Sequence, residues 1–340
     1  MPKPGRYEIM RALTLADGLL RFDNSYPQPL PAAGEALIRI TVAGICSTDL
    51  EIVKGYAGGF QGVLGHEFVG VVVETGSEED EGWIDRRVVG TINLGCRKCA
   101  VCLSEGPEHC PERTVLGIHN KDGVFADFVT LPVVNLLTVP EELCDEEAVF
   151  TEPLAAALRI REQVPVRPST RIAVVGPGRL GLLVGQVLAL GGASVTMLGR
   201  REESLALPGS LGLAAGLVDE QPDNAYDLVV EATGNDAGFA HSLRIVRPRG
   251  TLVLKSTFHG NANLNLTKLV VAEINVMGSR CGPFTPALRL LAASSSLSEM
   301  RAGIGVQVRP LIESEYPLHE GLAAFEHGAR SGVRKILLRP

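Results

Sequence analysis

The chain has 340 residues, of which 45% are hydrophobic and 21% charged, and its formal net charge is −7. That length leaves room for two domains with their own cores, and the composition is that of an ordinary globular protein. The acidic balance offers no basic footprint for a nucleic acid. No apolar run reaches the roughly 18 residues that a membrane-spanning helix needs. The first residues, MPKPGRYEIM, lack the apolar core of an export signal. Seven cysteines in such a chain, four of them bunched between positions 96 and 110, point to metal rather than to disulfides. The chain is therefore expected in the cytoplasm.

Residues 1–9 read as an extension ahead of the first strand-like segment, which Met10 opens. From there to residue 42 short apolar runs (MRALTL, GEALIRITV) alternate with Pro/Gly turns, a β-rich start. GVLGHEFVGVVVETG reads as a strand pair around a Gly-His-Glu turn. RRVVGTINL is strand-like and leads into the cysteines, and FADFVTLP and VNLLTVP resume the β character. Around Asp145 the pattern changes. DEEAVFTEPLAAALRIREQV carries acidic residues early and Ala/Leu periodicity after Pro153, as a helix start does. From Arg171 strands alternate with helices. Ala225 to Ala232 is read as a third strand of this part, Gly250 to Ser256 as a fourth and Glu273 to Ser279 as a fifth. That alternation implies an α/β unit with a parallel, doubly wound sheet. The tail from Pro286 holds a helix (ALRLLAAS) and ends in the strand VRKILLRP.

The α/β part opens with RIAVVGPGRLGLLVGQVLALGGASVTMLGRR. Ile172 to Val175 is a strand buried on both faces, Leu182 to Leu190 a helix, and Ala193 to Leu198 a second strand. Gly176, Gly178 and Gly181 stand between strand and helix in G-x-G-x-x-G spacing, the context in which that motif binds a dinucleotide. Gly176 permits the tight turn and Gly178 lets the backbone approach a pyrophosphate. Gly181 lets helix and strand pack closely, and the helix N-terminus offers free N–H groups to the anion. Pro177, Arg179 and Leu180 complete the turn. Thr233, which closes the third strand, joins the candidate cofactor contacts.

Cys96, Cys99, Cys102 and Cys110 have spacings of two, two and seven residues. Four thiolates on one loop suit a closed, structural zinc. An iron–sulfur run is the rival, but it places three residues before its fourth cysteine. Cys144 and Cys281 are lone cysteines expected in the core. Cys46 in GICSTD, His66 and Glu67 in GHE, and Glu152 in TEPLAAAL form a second set of Cys, His and carboxylate. Such a set suits an open, catalytic zinc. Spacing alone does not make these residues converge, and Glu152 is equally a helix-start carboxylate.

Taken in order, GICSTD, GHE-x2-G, the four-cysteine loop, EPLA and the glycine turn resemble the zinc-dependent medium-chain dehydrogenases, the family of alcohol, polyol, threonine and glucose dehydrogenases. The likeness runs from MRALTL to KILLRP. It implies a GroES-like β-rich catalytic domain at residues 1–150, a Rossmann domain at 151–284 and a return to the catalytic domain at 285–340. It implies an oxidoreductase passing hydride between a nicotinamide cofactor and an alcohol, a polyol or the matching carbonyl compound. By position Cys46 and His66 are zinc ligands, with Glu67 and either Glu152 or water completing the set. Thr48 matches the hydroxyl that binds the substrate oxygen and starts the proton relay, and Asp49 matches an aspartate near the metal. Glu51 departs from the pattern, because many members carry a histidine there, and a carboxylate has the lower solution pKa, near 4.3. The relay route stays open, as do the substrate and the direction of reaction. The resemblance implies a homodimer or homotetramer, while the charge and the short apolar runs lead to no expected nucleic-acid or membrane partner. A zinc-free enone or quinone reductase on the same fold, or a nucleotide-binding protein without turnover, are the competing readings.

Cofactor choice is read from the end of the second strand. NAD enzymes place an Asp or Glu there, on the ribose 2′-OH. Here Gly199 takes that place, leaving room for a 2′-phosphate, and Arg200 and Arg201 follow, which suit that phosphate. NADP(H) is expected over NAD(H), with Glu202 or Glu203 as the rival ribose acceptors.

Overall fold

The structure, a computed structural model, describes residues 8–56, 58–257, 266–296 and 304–340. Residues 1–7, most of the expected N-terminal extension, lie outside the described residues. The chain divides into two compact units, residues 1–152 with 312–340, and residues 153–311.

The first unit is built from strands. Ile9–Ala16 pairs antiparallel with Leu19–Pro27 and with Gly62–Val63. A larger seven-stranded sheet runs Leu136–Thr138, Arg87–Gly90, Glu67–Thr75, Glu35–Ile45, Lys335–Arg339, Ile312–Pro317, with Phe128–Pro132 also on Glu35–Ile45. The two strands flanking the Gly-His-Glu turn therefore do not pair with each other: they join different sheets. Glu35–Ile45 is the hub, because it pairs on both edges. Its apolar residues Leu37, Ile38, Ile40, Val42 and Ile45 are all buried. The C-terminal strand KILLR closes against it in the register Ile336 to Ile45.

The second unit is the doubly wound sheet. Its strands are all parallel, in the order Ala214–Leu217, Ser194–Gly199, Arg171–Val175, Tyr226–Glu231, Val246–Leu254, Asn275–Gly278. In chain order that is third, second, first, fourth, fifth, sixth, the arrangement that binds dinucleotides where the order reverses. The edge strand Ala214–Leu217 (AAGL) is the one that the sequence reading passed over, so the fifth expected strand is the sixth. Ala173, Val175, Leu198, Val229, Leu252 and Ile274 meet Phe239 and Leu243 in one buried core. The helix after the glycine turn spans Arg179–Ala189, three residues longer at its start than the apolar periodicity implied.

The return to the first unit falls at residue 312 rather than at 285. The helix Phe284–Ser295 and residues 304–311 belong to the same unit as the parallel sheet. Ser294 Oγ accepts the Val306 N–H at 3.0 Å, and Gln186, buried in the helix Arg179–Ala189, exchanges two hydrogen bonds with the Gln307 backbone. Cys144 and Cys281 are partly exposed rather than core residues. Cys144 precedes the helix Asp145–Ala148, and Cys281 sits at φ 45° in the turn before Phe284. No helix among the described residues is long and apolar enough to cross a membrane.

Candidate functional site

Register brings the first donor set together. The strands Glu35–Ile45 and Glu67–Thr75 pair with Gly44 opposite Glu67. Cys46, one residue past the first strand, and His66, one residue before the second, therefore meet at the same sheet end. Their donor atoms and a Glu67 carboxylate oxygen all lie within 4.8 Å of one another. Gly44 makes this possible, because a Cβ there would overlap Glu67 Oε2. Glu152, in the first turn of the helix Thr151–Gln163, falls outside that mutual spacing.

Cys46 also starts the short helix Ser47–Val53. Asp49, fully buried in its first turn, accepts the Cys46 N–H at 2.8 Å. Its other oxygen lies 3.2 Å from His66 Nδ1. An aspartate on Nδ1 leaves Nε2 of His66 to face a metal, the arrangement that orients metal-bound imidazoles. Burial works against charge on His66, yet the Asp49 carboxylate and Cys46 beside it hold its pKa well above the usual histidine value. Thr48 Oγ1 lies 3.7 Å from Cys46 Sγ. Glu51 points elsewhere: its carboxylate takes a 2.8 Å ion pair from Lys54.

Lys335 was not among the residues read from the sequence. It opens the C-terminal strand, is 3% exposed, and pairs with Glu67 Oε2. Its Nζ also reaches the Ile45 carbonyl at 3.4 Å and lies 5.7 Å from the Phe150 ring centre. A lysine beginning an otherwise apolar strand was the available signal, since a buried lysine needs a partner. Among the described residues, the buried Glu67 Oε1 has no hydrogen-bond partner, and neither does Asp49 Oδ1 at proper hydrogen-bond angles. Cys, His and carboxylate donors around a buried, unsatisfied oxygen fit a divalent cation of the zinc type.

The four-cysteine loop also converges. All four sulfurs lie within 4.8 Å of one another, and Cys99 Sγ is 3.9 Å from Cys110 Sγ. A regular tetrahedron with Zn–S near 2.3 Å has S···S edges of about 3.8 Å, so the spacing fits zinc. The backbone N–H groups of Lys98 and Cys99 pull the Cys96 thiol down to about 7, while burial and then Cys110 push Cys102 up to about 12. Asn135 braces the loop. It is buried, accepts from Arg97 at 2.9 Å, and donates to the Thr91 hydroxyl at 2.7 Å and the Asn93 carbonyl at 3.2 Å. Asn93 is thus part of this brace, and His119 is an exposed loop residue beside Asn120.

In the second unit the glycine turn has the expected form. Gly176 adopts φ +104°, which favours glycine. A Cβ on Gly181 would overlap the Gly176 carbonyl, whereas among the described residues nothing lies within 4 Å of the place of a Cβ on Gly178. Gly178 caps the helix Arg179–Ala189, so its open side faces free N–H groups. Glu231, at the end of the neighbouring strand, is buried. It accepts from the Thr233 N–H at 2.6 Å, the Gly234 N–H at 3.1 Å and the Thr233 hydroxyl, which fixes the Thr233 loop. Burial pushes its carboxyl up, against the pull of those donors. Gly199 does not leave the room that was expected. A Cβ there would meet Ser204 Oγ and Leu205, so the following turn fills that space. Arg200 and Arg201 are exposed, as are Glu202 and Glu203.

Two family models match the chain. The one described as alcohol dehydrogenase GroES-like domain covers residues 32–141, and the one described as zinc-binding dehydrogenase covers residues 180–293. A sorbitol dehydrogenase of Halalkalibacterium halodurans is 28% identical over 92% of this chain and 94% of its own. A Mycobacterium tuberculosis chain named as an alcohol dehydrogenase is 30% identical over 80% and 83%. Among solved structures, a Sinorhizobium meliloti 1021 chain described as a zinc-binding dehydrogenase, bound to NADP, superposes with a TM-score of 0.87. It is 25% identical, over 98% of this chain and 100% of its own. These likenesses span both units and agree on one lineage: the chain belongs to the zinc-dependent medium-chain dehydrogenase/reductase family and is an alcohol dehydrogenase-like oxidoreductase.

Proposed function

We propose that this protein passes hydride between NADP(H) and an alcohol or polyol, or the corresponding carbonyl compound, at a zinc held by Cys46, His66 and Glu67. The observation that carries the reading is the convergence of these three donors, two of them buried, braced by Asp49. Polyol dehydrogenases among the relatives support the substrate class. Bound zinc would polarise the substrate oxygen and stabilise its negative charge as the hydride leaves or arrives. The residues do the rest. Asp49 holds the His66 ring by Nδ1. Lys335 balances the charge of Glu67 and keeps one of its oxygens turned away from the donor cluster. Thr48, two residues from Cys46, would hold the substrate hydroxyl and take its proton. Glu51 is tied to Lys54, so the proton would leave Thr48 through the nucleotide ribose or water. The four-cysteine loop would hold a second, structural zinc.

NADP(H) is favoured over NAD(H) by Arg200 and Arg201 and by the lack of a carboxylate at the strand end. The glycine at 199 serves packing and no longer adds to that argument. The unit 153–311 with 1–152 and 312–340 stands as one catalytic chain, assembled as a dimer or tetramer as in the family resemblance.

The test is metal analysis of the purified protein, joined to a panel of alcohols, polyols and sugars with both cofactors. Two zinc ions per chain and turnover with NADP(H) are expected. One zinc per chain, with enone reduction only, would overturn the reading. For the cofactor, Arg200→Ala should weaken NADPH by about 10- to 100-fold, the worth of a charged hydrogen bond, and leave NADH nearly unchanged. Equal weakening of both would count against the phosphate role.

A further inference from the structure

A buried carboxylate stands beside the glycine turn, and the reading above gives it no part in binding. Glu231 ends the strand Tyr226–Glu231 and pairs in register with Val175, the last residue before Gly176. The next residue, Ala232, donates its N–H to the Val175 carbonyl at 2.9 Å. Glu231 is fully buried, as are Val229 and Val230, so an apolar residue would serve for packing here. Burying a carboxylate is costly unless donors reach it. Three donors of the following turn do so, all on Oε1: the Thr233 N–H at 2.6 Å, the Gly234 N–H at 3.1 Å and the Thr233 hydroxyl.

These bonds orient the Thr233 side chain. An oxygen that takes two backbone N–H groups is an acceptor, so the Thr233 hydroxyl points its proton at Glu231. The same hydroxyl oxygen accepts the Asn235 N–H at 3.4 Å, and a Cβ on Gly238 would fall 1.9 Å from it. The hydroxyl therefore faces the protein. Hydroxyl and methyl share one Cβ, so fixing the first in a staggered well also fixes the second. The methyl lies against the glycine turn. A Cβ on Gly176 would come within 2.8 Å of Thr233 Cγ2 and 2.9 Å of the Ala232 carbonyl oxygen. Gly176 in turn backs onto Gly181, whose Cβ would overlap the Gly176 carbonyl. One stack thus runs from Glu231 through Thr233 and Gly176 to the first turn of the helix Arg179–Ala189.

We propose that Glu231 is a positioning residue of the nucleotide site: by gathering the donors of the 233–234 turn it presses the Thr233 methyl onto Gly176 and holds the glycine turn in the shape that receives the pyrophosphate. The proposal rests on the nucleotide reading above. Thr233 then serves the cofactor through its methyl and the turn behind it, not by a hydrogen bond from its hydroxyl. A turn held in shape beforehand needs no ordering when the nucleotide arrives, which favours binding.

The experiment measures binding to the full chain of three ligands. NADPH is titrated by its fluorescence. ADP-ribose 2′-phosphate, which keeps the pyrophosphate but lacks the nicotinamide, and adenosine 2′-phosphate, which lacks both, are titrated in competition. Thr233→Ser keeps the hydroxyl and removes the methyl. It should weaken NADPH and ADP-ribose 2′-phosphate alike, by about 5- to 10-fold, and leave adenosine 2′-phosphate unchanged. Thr233→Val keeps the methyl, and the two backbone donors still hold the turn, so it should cost about 2-fold at most. Glu231→Met removes the acceptor and should weaken the two pyrophosphate ligands at least as much as Thr233→Ser does. Glu231→Gln, whose amide oxygen still accepts, should restore binding to within about 3-fold of wild type. Should Glu231→Met fail to fold, the two Thr233 variants decide. The reverse order, with Thr233→Val weak and Thr233→Ser like wild type, would mean that the hydroxyl touches the nucleotide, and overturns the proposal. An equal loss of adenosine 2′-phosphate overturns it as well, because the effect would then not pass through the glycine turn. Should wild type prefer NADH, then NADH, ADP-ribose and adenosine take the same places with the same expectations. A wild type that binds neither nucleotide overturns both the proposal and the reading beneath it.

Discussion

The two donor clusters of the first unit are built on opposite plans. The four cysteines come from one short loop, all but Cys110 are partly exposed, and every sulfur points inward. Their partners are backbone N–H groups and one another, so the cluster is closed. Cys46, His66 and Glu67 come from two strand ends brought together by register. Two of the three are almost wholly buried, and each leans on a charged group: His66 on Asp49, Glu67 on Lys335. Three protein donors leave a fourth position for water or substrate. A closed thiolate site adds folding energy, while an open, charge-balanced site spends some stability to keep a cation reactive. The same fold carries both because their supports are independent.

The largest expected effect separates them outright. Cys46→Ser or His66→Ala should remove one of two zinc ions and lower turnover by at least about 10³-fold. Losing a single donor to a developing oxyanion already costs about 10²–10³. Nucleotide binding should change little, since the glycine turn lies in the other unit. Appreciable turnover without that metal would break the distinction.

Cys99→Ser should do the reverse. The loop zinc is lost and the melting temperature falls by roughly 10 °C, on a scale of about 2–4 °C per kcal/mol for units of this size. The molecules that remain folded should keep their chemistry. An unchanged melting temperature together with full zinc content would show that the loop holds no structural metal.

Lys335→Met sharpens the contrast in charge balance. Removing one partner of a buried ion pair costs about 3–5 kcal/mol, because the other charge is stranded. Urea unfolding should show that loss, and the double change Lys335→Met with Glu67→Gln should regain part of it. A single variant as stable as wild type would mean that Glu67 is neutral or solvated.

The smallest effects concern the supports. Asp49→Asn should weaken the catalytic metal by about 10- to 100-fold, as other groups orienting a ligand histidine do, and leave the cysteine site untouched. Glu152→Gln should change metal affinity less than about 2-fold. Competition with a chelator reads both, and a larger effect at Glu152 than at Asp49 would reverse the assignment of the carboxylate ligand.

Much of this was legible before the fold was seen. The glycine turn announced itself because a phosphate-binding bend needs glycines at set offsets between a strand and a helix. The cysteine loop did so because closed zinc sites draw their ligands from neighbouring residues. AAGL was missed as a strand because two alanines and a glycine carry little β signal, and only its neighbour Ser194–Gly199 makes it one. The boundary at 312 was missed because the helix Phe284–Ser295 is equally amphipathic wherever it packs. Gln186 and Ser294 decide the matter through contacts more than ten residues away in the chain.

What the sequence determined by itself was therefore local: the turn that cradles a phosphate, the thiolate loop, the alternation of strand and helix. These follow from spacing, which short-range geometry converts directly into structure. What only the tertiary structure decided was the company each residue keeps. Register placed Glu67 rather than Glu152 beside Cys46 and His66. A strand arriving from the end of the chain brought Lys335 to Glu67, 268 positions away. Turn packing, not an empty phosphate site, explained Gly199. Charge pairing and close packing act through space, and their partners are chosen by the fold rather than by the order of residues along the chain.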